Sequence, residues 1–315
     1  MNRIIILIAL YMSFLFFFSC SSPAPTTEKL RVIVTNFPLY DFTRNVAGDN
    51  ALVTILIPPG VEPHAYEPKP QDIIDLNNAD IFIFTGEAME PWVPGIIASL
   101  TNKKLIVVDA SKGIRLYDTH VDDAHTAMTA SDDDDHGHGV DPHIWLDPVL
   151  AQTMTDTITA ALSQADPEHK TVYESNGTQY KQHLSDLDNR CKDIFSRVTS
   201  RTIIYGGHFA FGYFAHRYTL NVVSPYEGFA PDAEPSAKKI AALIDTIKQT
   251  NSSVIFHEEL IEPRIAAMLS QETGAQLMIL HGAHNLSKKE LEDGVTYLSL
   301  MNQNLENLKK ALNYR

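Results

Sequence analysis

The fold turns on residues 166–198, DPEHKTVYESNGTQYKQHLSDLDNRCKDIFSRV. Beyond Pro167 the stretch has no proline, and its only glycine is Gly177. Tyr173, Tyr180, Leu184, Leu187, Cys191, Ile194 and Phe195 recur at spacings of three, four and seven, the apolar stripe of one continuous helix. At 1.5 Å per residue such a helix runs roughly 45 to 50 Å, longer than a single domain ordinarily requires. The expectation is a rigid spine joining two bodies.

Both flanks of this spine read alike. From Leu30, short β-branched runs alternate with helical patterns: RVIVTNF, LYDFTRNVAG, ALVTILIPPG, PQDIIDLNNAD, IFIFTG, EPWVPGIIASL and LIVVDA. Such alternation predicts βα units on a mainly parallel sheet. DPVLAQTMTDTITAALSQADP adds a helix capped by Asp147 with Pro148 in its first turn. After the spine the pattern resumes through RTIIYGG, FAFGYFAHRYTL, NVVSP, SAKKIAALIDTIKQT, SVIFHE, EPRIAAMLSQETG and QLMIL, with a last helix over about Asp293–Leu312. The predicted class is α/β, with two lobes, each a mainly parallel sheet flanked by helices, bridged by one long α-helix. The lobes are expected at 30–165 and 199–315, the bridging helix at 166–198, and an Asp/His-rich loop at 117–141 within the first lobe.

The N-terminus, MNRIIILIALYMSFLFFFSCSS, is a short basic start followed by an apolar run from Ile4 to Phe18. The run is too short for a spanning helix, which needs roughly 20 residues, so residues 1–19 read as a secretory signal. Ser19 before Cys20 resembles a bacterial lipoprotein cleavage site, which makes Cys20 the expected point of lipid attachment. Residues 20–29, rich in Ser, Pro and Thr, suit a flexible tether. Cys191 is the one other cysteine of the 2 in the chain, so no internal disulfide is expected in the exported form. A formal charge of −14 argues against nucleic acid and anionic membrane surfaces as partners.

In open parallel sheets, ligands bind beyond the carboxyl ends of the strands. The polar residues that follow the predicted strands are mostly histidines: His64 after ALVTILIPPG, His143 after LIVVDA, His208 after TIIYGG and His281 after QLMIL. Any one of these has an ordinary alternative as a loop-bonding residue. Four in the same topological position, two per lobe, could converge between the lobes, and four imidazole nitrogens at about 2.0 to 2.1 Å complete a tetrahedral zinc shell.

The segments IPPGVEPHAYEPKPQD, DPHIWLDP, GGHFAFGYFAHRYTL, DAEPSAKKIAALIDTIK and YLSLMNQNLENLKKAL together resemble the metal-binding components of ABC importers of the ZnuA/TroA type, over nearly the whole mature chain. The resemblance implies two α/β lobes joined by a long helix, with the metal at their interface. Carried onto this sequence, it makes His64, His143 and His208 ligands. The family's fourth position is commonly Asp, and here ILHGAHNLS places His281 in that segment. Imidazole in place of a carboxylate moves such a site from Mn2+ toward Zn2+. His284, Glu62 and water compete with His281 for the fourth position. Glu234 and His257, the latter beside Glu258, are candidates for supporting a ligand imidazole, although each has a bland reading at a helix start or strand end. Pro142 and Trp145 are expected to fix the backbone around His143. Tyr66, Phe209 and Tyr213 either dry the cleft or serve as ordinary core aromatics.

His120, His125, His136 and His138, set among Asp132, Asp133, Asp134 and Asp135, predict a solvated segment. The resemblance implies that it collects zinc for the main site; the alternative is a charge run with no metal role. HEELI at His257 lacks the second histidine of a zincin helix, because Ile261 stands there, and GGHFAFG lacks the spacing of a dinucleotide fingerprint. The expectation is therefore an exported, lipid-anchored, monomeric zinc receptor, not an enzyme, that hands its ion to an ABC permease driven by a separate ATPase. Its rivals are a zinc hydrolase with water in the fourth position and a Mn2+-binding or adhesin-type surface lipoprotein.

Overall fold

The computed structural model describes residues 29–117, 140–207, 210–226 and 235–315. In the first lobe β1 (Leu30–Val34) is followed by α1 (Phe37–Ala47), β2 (Ala51–Ile55), α2 (Pro70–Asn77), β3 (Ile81–Phe84), α3 (Val93–Ser99) and β4 (Ile106–Asp109). The strands are all parallel, in the order β2-β1-β3-β4. Every residue of β3, Ile-Phe-Ile-Phe, is buried, as a central strand covered on both faces must be.

Then come α4 (Pro148–Ala165) and α5 (Lys170–Ser196). Asp147 caps α4 by accepting from Val149 N–H at 2.8 Å, and Pro148 occupies the first turn, where a missing N–H costs nothing. The long helix starts later than the sequence pattern suggests. Pro167–His169 form a separate 3-10 turn, with Asp166 accepting from His169 N–H, so α5 begins only once that turn is complete. Its 27 residues run roughly 40 Å. Gly177 marks where α5 crosses α4, since a Cβ there would lie 2.4 Å from Thr159 Oγ1.

The second lobe contains β5 (Thr202–Ile204), α6 (Gly212–Tyr218), β6 (Asn221–Val223), α7 (Ala237–Thr250), β7 (Val254–His257), α8 (Arg264–Thr273) and β8 (Gln276–Ile279), followed by α9 (Lys288–Glu292) and α10 (Tyr297–Ala311). β5 pairs with β6 and β7 with β8, all parallel, and a Tyr205–Phe256 bridge joins the pairs into the order β6-β5-β7-β8. Relative to the chain this is the order of the first lobe. The last helix expected over about Asp293–Leu312 is α10, starting at Tyr297, and the short α9 before it was not anticipated. A Ser287/Glu290 capping box starts α9, Gly294 turns the chain at φ +74°, and Thr296 caps α10.

One apolar cluster runs through both lobes, from Val32 and Phe42 by way of Trp145, Tyr180 and Leu187 to Phe256 and Leu305. Smaller clusters cover the outer faces of the two sheets, around Phe82 and Leu76 in the first and Ile255 and Leu269 in the second. No helix among the described residues is long and apolar enough to cross a membrane. Because all strands of a lobe point the same way, the loops after them share one edge, and the polar chemistry gathers there.

Candidate metal centre

His64 follows β2 in a stretch stiffened by Pro58, Pro59 and Pro63. Glu62 caps the 3-10 turn Pro63–Ala65 by accepting from His64 N–H at 3.2 Å. His143 comes from the loop after β4 and is fully buried. One oxygen of Asp141 accepts from both its backbone N–H, at 2.9 Å, and its Nδ1, at 2.8 Å. A carboxylate only accepts, so Nδ1 carries the proton and Nε2 presents its lone pair. That Nε2 lies 3.1 Å from Nε2 of His64. Two lone pairs do not face one another at that separation without a proton or a cation between them. Two nitrogens on a tetrahedral zinc stand about 3.3 Å apart, so the pair already has the spacing of adjacent ligands.

The second lobe adds the loop after β8. Ala283 adopts φ +56°, a left-handed conformation costly for a residue with a Cβ, and the loop doubles back there. Gly282 lets the His284 ring lie against the backbone, because a Cβ at that position would approach His284 Nδ1 to 2.7 Å. Crossed bonds hold the loop in place. Asn304 accepts from His281 N–H and donates to His281 O, both at 2.8 Å, while Trp145 Nε1 donates to Gly282 O at 2.8 Å. Asn285 Nδ2 donates to Pro58 O and Val61 O, at 2.9 and 2.6 Å, tying the loop to the chain that carries His64.

The His284 ring sits 6.3 Å from that of His64 and 6.4 Å from that of His143, centroid to centroid. Its Nε2 lies 3.7 Å from Glu62 Oε2, and its Nδ1 lies 3.7 Å from Glu259 Oε1. Glu259 also accepts from Gly282 N–H at 2.8 Å. His281 is turned to different partners: its Nδ1 accepts from Ala283 N–H at 2.9 Å and lies 3.2 Å from Glu259 Oε1, and its Nε2 is 3.9 Å from Glu290 Oε1.

Burial pushes the Glu259 carboxyl upward, but His284, His281 and the Gly282 N–H outweigh it and hold the group at about 2. Glu62 is likewise held below the usual carboxylate range, against its burial, chiefly by His284. Burial opposes a charge on His284, yet the carboxylates of Glu259, Glu62 and Glu258 raise it to about 9. The carboxylates thus make a buried region that favours positive charge, whether a proton or a metal ion supplies it. Asp141, bonded to His143 Nδ1, is in position to fix that imidazole's orientation, as carboxylates commonly do at metal sites, while Glu259 stands 3.7 Å from His284 Nδ1.

Among the described residues, the structure pairs His64 with His143 and sets His284, beside Glu62, within 6.4 Å of both rings, without closing three donors around one point; His281 is turned toward Glu259 and Glu290. His257 ends β7, with Nδ1 2.8 Å from Glu258 O. Tyr66 belongs to the apolar cluster on the outer face of the first sheet, its ring 5.8 Å from Trp92 and its hydroxyl bonded to Asp72. Trp145 lies beside His143 at 5.3 Å. His208, Phe209, Glu234, His120, His125, His136, His138 and Cys20 lie outside the described residues. The sequence reading did not single out Asp141 or Glu259 for these roles. Asp141 stands two residues before His143, a usable signal; Glu259, behind Glu258 at a strand end, gave none.

A family model described as zinc-uptake complex component A, periplasmic (ZnuA), matches residues 32–311. The chain is 39% identical over 285 residues to the high-affinity zinc uptake system protein ZnuA of Bacillus subtilis, a match covering 90% of this chain and 88% of that protein. It is 34% identical over 302 residues to the zinc-binding lipoprotein AdcA of Streptococcus pneumoniae, covering 94% of this chain but only 58% of AdcA. Among solved structures, the Zn(II)-bound ZnuA-like domain of Streptococcus pneumoniae AdcA superposes with a TM-score of 0.76 at 33% identity, over 91% of this chain and 100% of that one.

Proposed function

The chain belongs to the ZnuA family of periplasmic zinc-uptake complex components, and from that premise we propose that it captures Zn2+ between its lobes and delivers it to an ABC permease driven by a separate ATPase. It is a binding component and not an enzyme; zinc is its cargo. The observation that carries this reading is the pair of Nε2 atoms of His64 and His143, 3.1 Å apart. His284 is assigned as the second lobe's donor in preference to His281, because its ring lies within 6.4 Å of both members of the pair, while His281 Nδ1 accepts from Ala283 N–H and its Nε2 is turned toward Glu290. His208 completes the set by its place after β5. An all-imidazole shell favours zinc over manganese.

Export with a lipid anchor at Cys20 and a monomeric state complete the reading. The anchor is supported by Ser19-Cys20 and by the lipoprotein nature of AdcA. The Asp/His-rich residues between 117 and 141 are assigned to zinc collection, outside the high-affinity site. The hydrolase and adhesin readings have no comparable support in the family match. Titration calorimetry tests the assignment: wild type binds one tight zinc, and His143→Ala weakens that binding far more than His136→Ala does. Equal weakening by the two substitutions would contradict the division between cleft and loop.

A further inference from the structure

Residues 118–139 join the described fold at a neck between Tyr117 and Val140–Asp141, where Asp141 N–H donates to Tyr117 O at 3.0 Å. One hydroxyl from the second lobe closes this neck. Tyr213, on α6 and 1% exposed, donates its O–H to Asp141 O at 2.9 Å and accepts from Tyr117 N–H at 2.9 Å. Its ring stacks on Tyr117 at 4.5 Å and 17°, and the Tyr117 hydroxyl lies 3.1 Å from His216 Nδ1, farther along the same helix. The residue gripped in this way is the one whose carboxylate orients His143. Two hydrogen bonds, joined through the Asp141 residue itself, thus lead from a second-lobe helix to a nitrogen of the first-lobe site.

We propose that Tyr213 is a positioning residue for zinc, an interlobe latch whose hydroxyl holds the Asp141 backbone and, through the Asp141 carboxylate, the His143 imidazole. The proposal rests on His143 being a zinc ligand. A first-lobe ligand backed by a second-lobe hydroxyl is firm while the lobes are together and loosens when they shift. Relative lobe movement then weakens the grip on zinc before any ligand has left the ion. The neck also flanks residues 118–139 in the chain.

Tyr213→Phe removes the hydroxyl and keeps the stacked ring. Zinc affinity is read by competition with a chromophoric chelator, dissociation by chelator capture, and structural cost by thermal unfolding in excess chelator. Outer partners of metal ligands change affinity by about 10- to 100-fold, and Tyr213 stands one bond farther out, so a loss of about tenfold is expected, mostly as faster release. In a His143→Ala background the same substitution is expected to change affinity less than about twofold, because the group it acts through is gone. Unchanged affinity in folded Tyr213→Phe, alongside strong weakening by His143→Ala, overturns the latch. Wild-type affinity in His143→Ala overturns the ligand assignment beneath it. Should Tyr213→Phe not fold, His216→Ala removes the ring nitrogen 3.1 Å from the Tyr117 hydroxyl and leaves Tyr213 in place; about threefold weaker zinc binding supports the latch, and no change overturns it.

Discussion

Glu90→Gln tests how a buried acid supports the metal loop. Glu90 is fully buried at the carboxyl edge of the first sheet, where it accepts from the Thr35 hydroxyl at 2.5 Å, Gly86 N–H at 3.1 Å and Thr85 N–H at 3.3 Å. Its neighbour Asn36 caps α1, and the next residue, Phe37, donates its N–H to His284 O at 3.4 Å. Burial raises the carboxyl to about 7 against the downward pull of those hydrogen bonds. The folded state therefore binds the proton more tightly than the unfolded chain, in which a glutamate titrates near about 4.3. Stability from this group is fully present below the unfolded value and is lost as pH rises to about 7. With these two values the loss between about pH 5 and pH 8 is about 2 to 3 kcal/mol. Gln keeps the shape and does not ionise. Urea unfolding in excess chelator, run on both proteins from about pH 5 to pH 8, should show the variant gaining on wild type by about that amount. The titration of all other groups cancels in the difference. A difference flat to within about 0.5 kcal/mol, or one of opposite sign, would refute the argument.

His284→Ala is expected to weaken zinc binding by more than about 100-fold and His281→Ala by less than about tenfold, since loss of a ligand should exceed loss of its supports; chelator competition separates them. Because His284 is held at about 9 without metal, zinc must displace its proton, and apparent affinity should rise with pH toward that value and do so less steeply in His284→Ala. Gly282→Ala would place a Cβ 2.7 Å from His284 Nδ1; the ring must move, and zinc affinity should drop about tenfold in the same assay. Gly177→Ala should destabilise the chain by about 1 to 3 kcal/mol in denaturant unfolding, despite the better helix former, because its Cβ would fall 2.4 Å from Thr159 Oγ1. Thr159→Ala in the same chain should restore most of the loss.

The strands were the most legible part of the sequence. Parallel strands covered on both faces are nearly unbroken apolar runs, as in Ile81–Phe84, and they stand out from the amphipathic helices between them. Helix ends were harder to read. The stripe from Tyr173 to Phe195 marks the buried face of α5 but says nothing about the 3-10 turn over Pro167–His169, and the 5-residue helix α9 is too short to show a period. At the site, His64 and His143 were named from their places after strands, and the structure puts their nitrogens 3.1 Å apart. The different directions in which His281 and His284 are turned were not legible, because they depend on a backbone reversal at Ala283 for which no periodicity exists. The Asp141 contact to His143 spans only two residues and was open to reading from the spacing, whereas Glu259 meets Gly282 N–H only after the ends of β7 and β8 are brought side by side.

The apolar cluster shared by the two lobes leaves no seam along which the molecule could be cut. Phe42 and Tyr297, far apart in sequence, meet edge to face at 4.9 Å inside it, and the Tyr297 hydroxyl donates to Trp145 O at 2.5 Å. Half of the polypeptide expressed alone would bare a greasy surface that its missing counterpart normally covers. The halves should consequently melt as one cooperative unit, so that a ligand steadying the rim where the cargo rests raises a single transition for the whole chain.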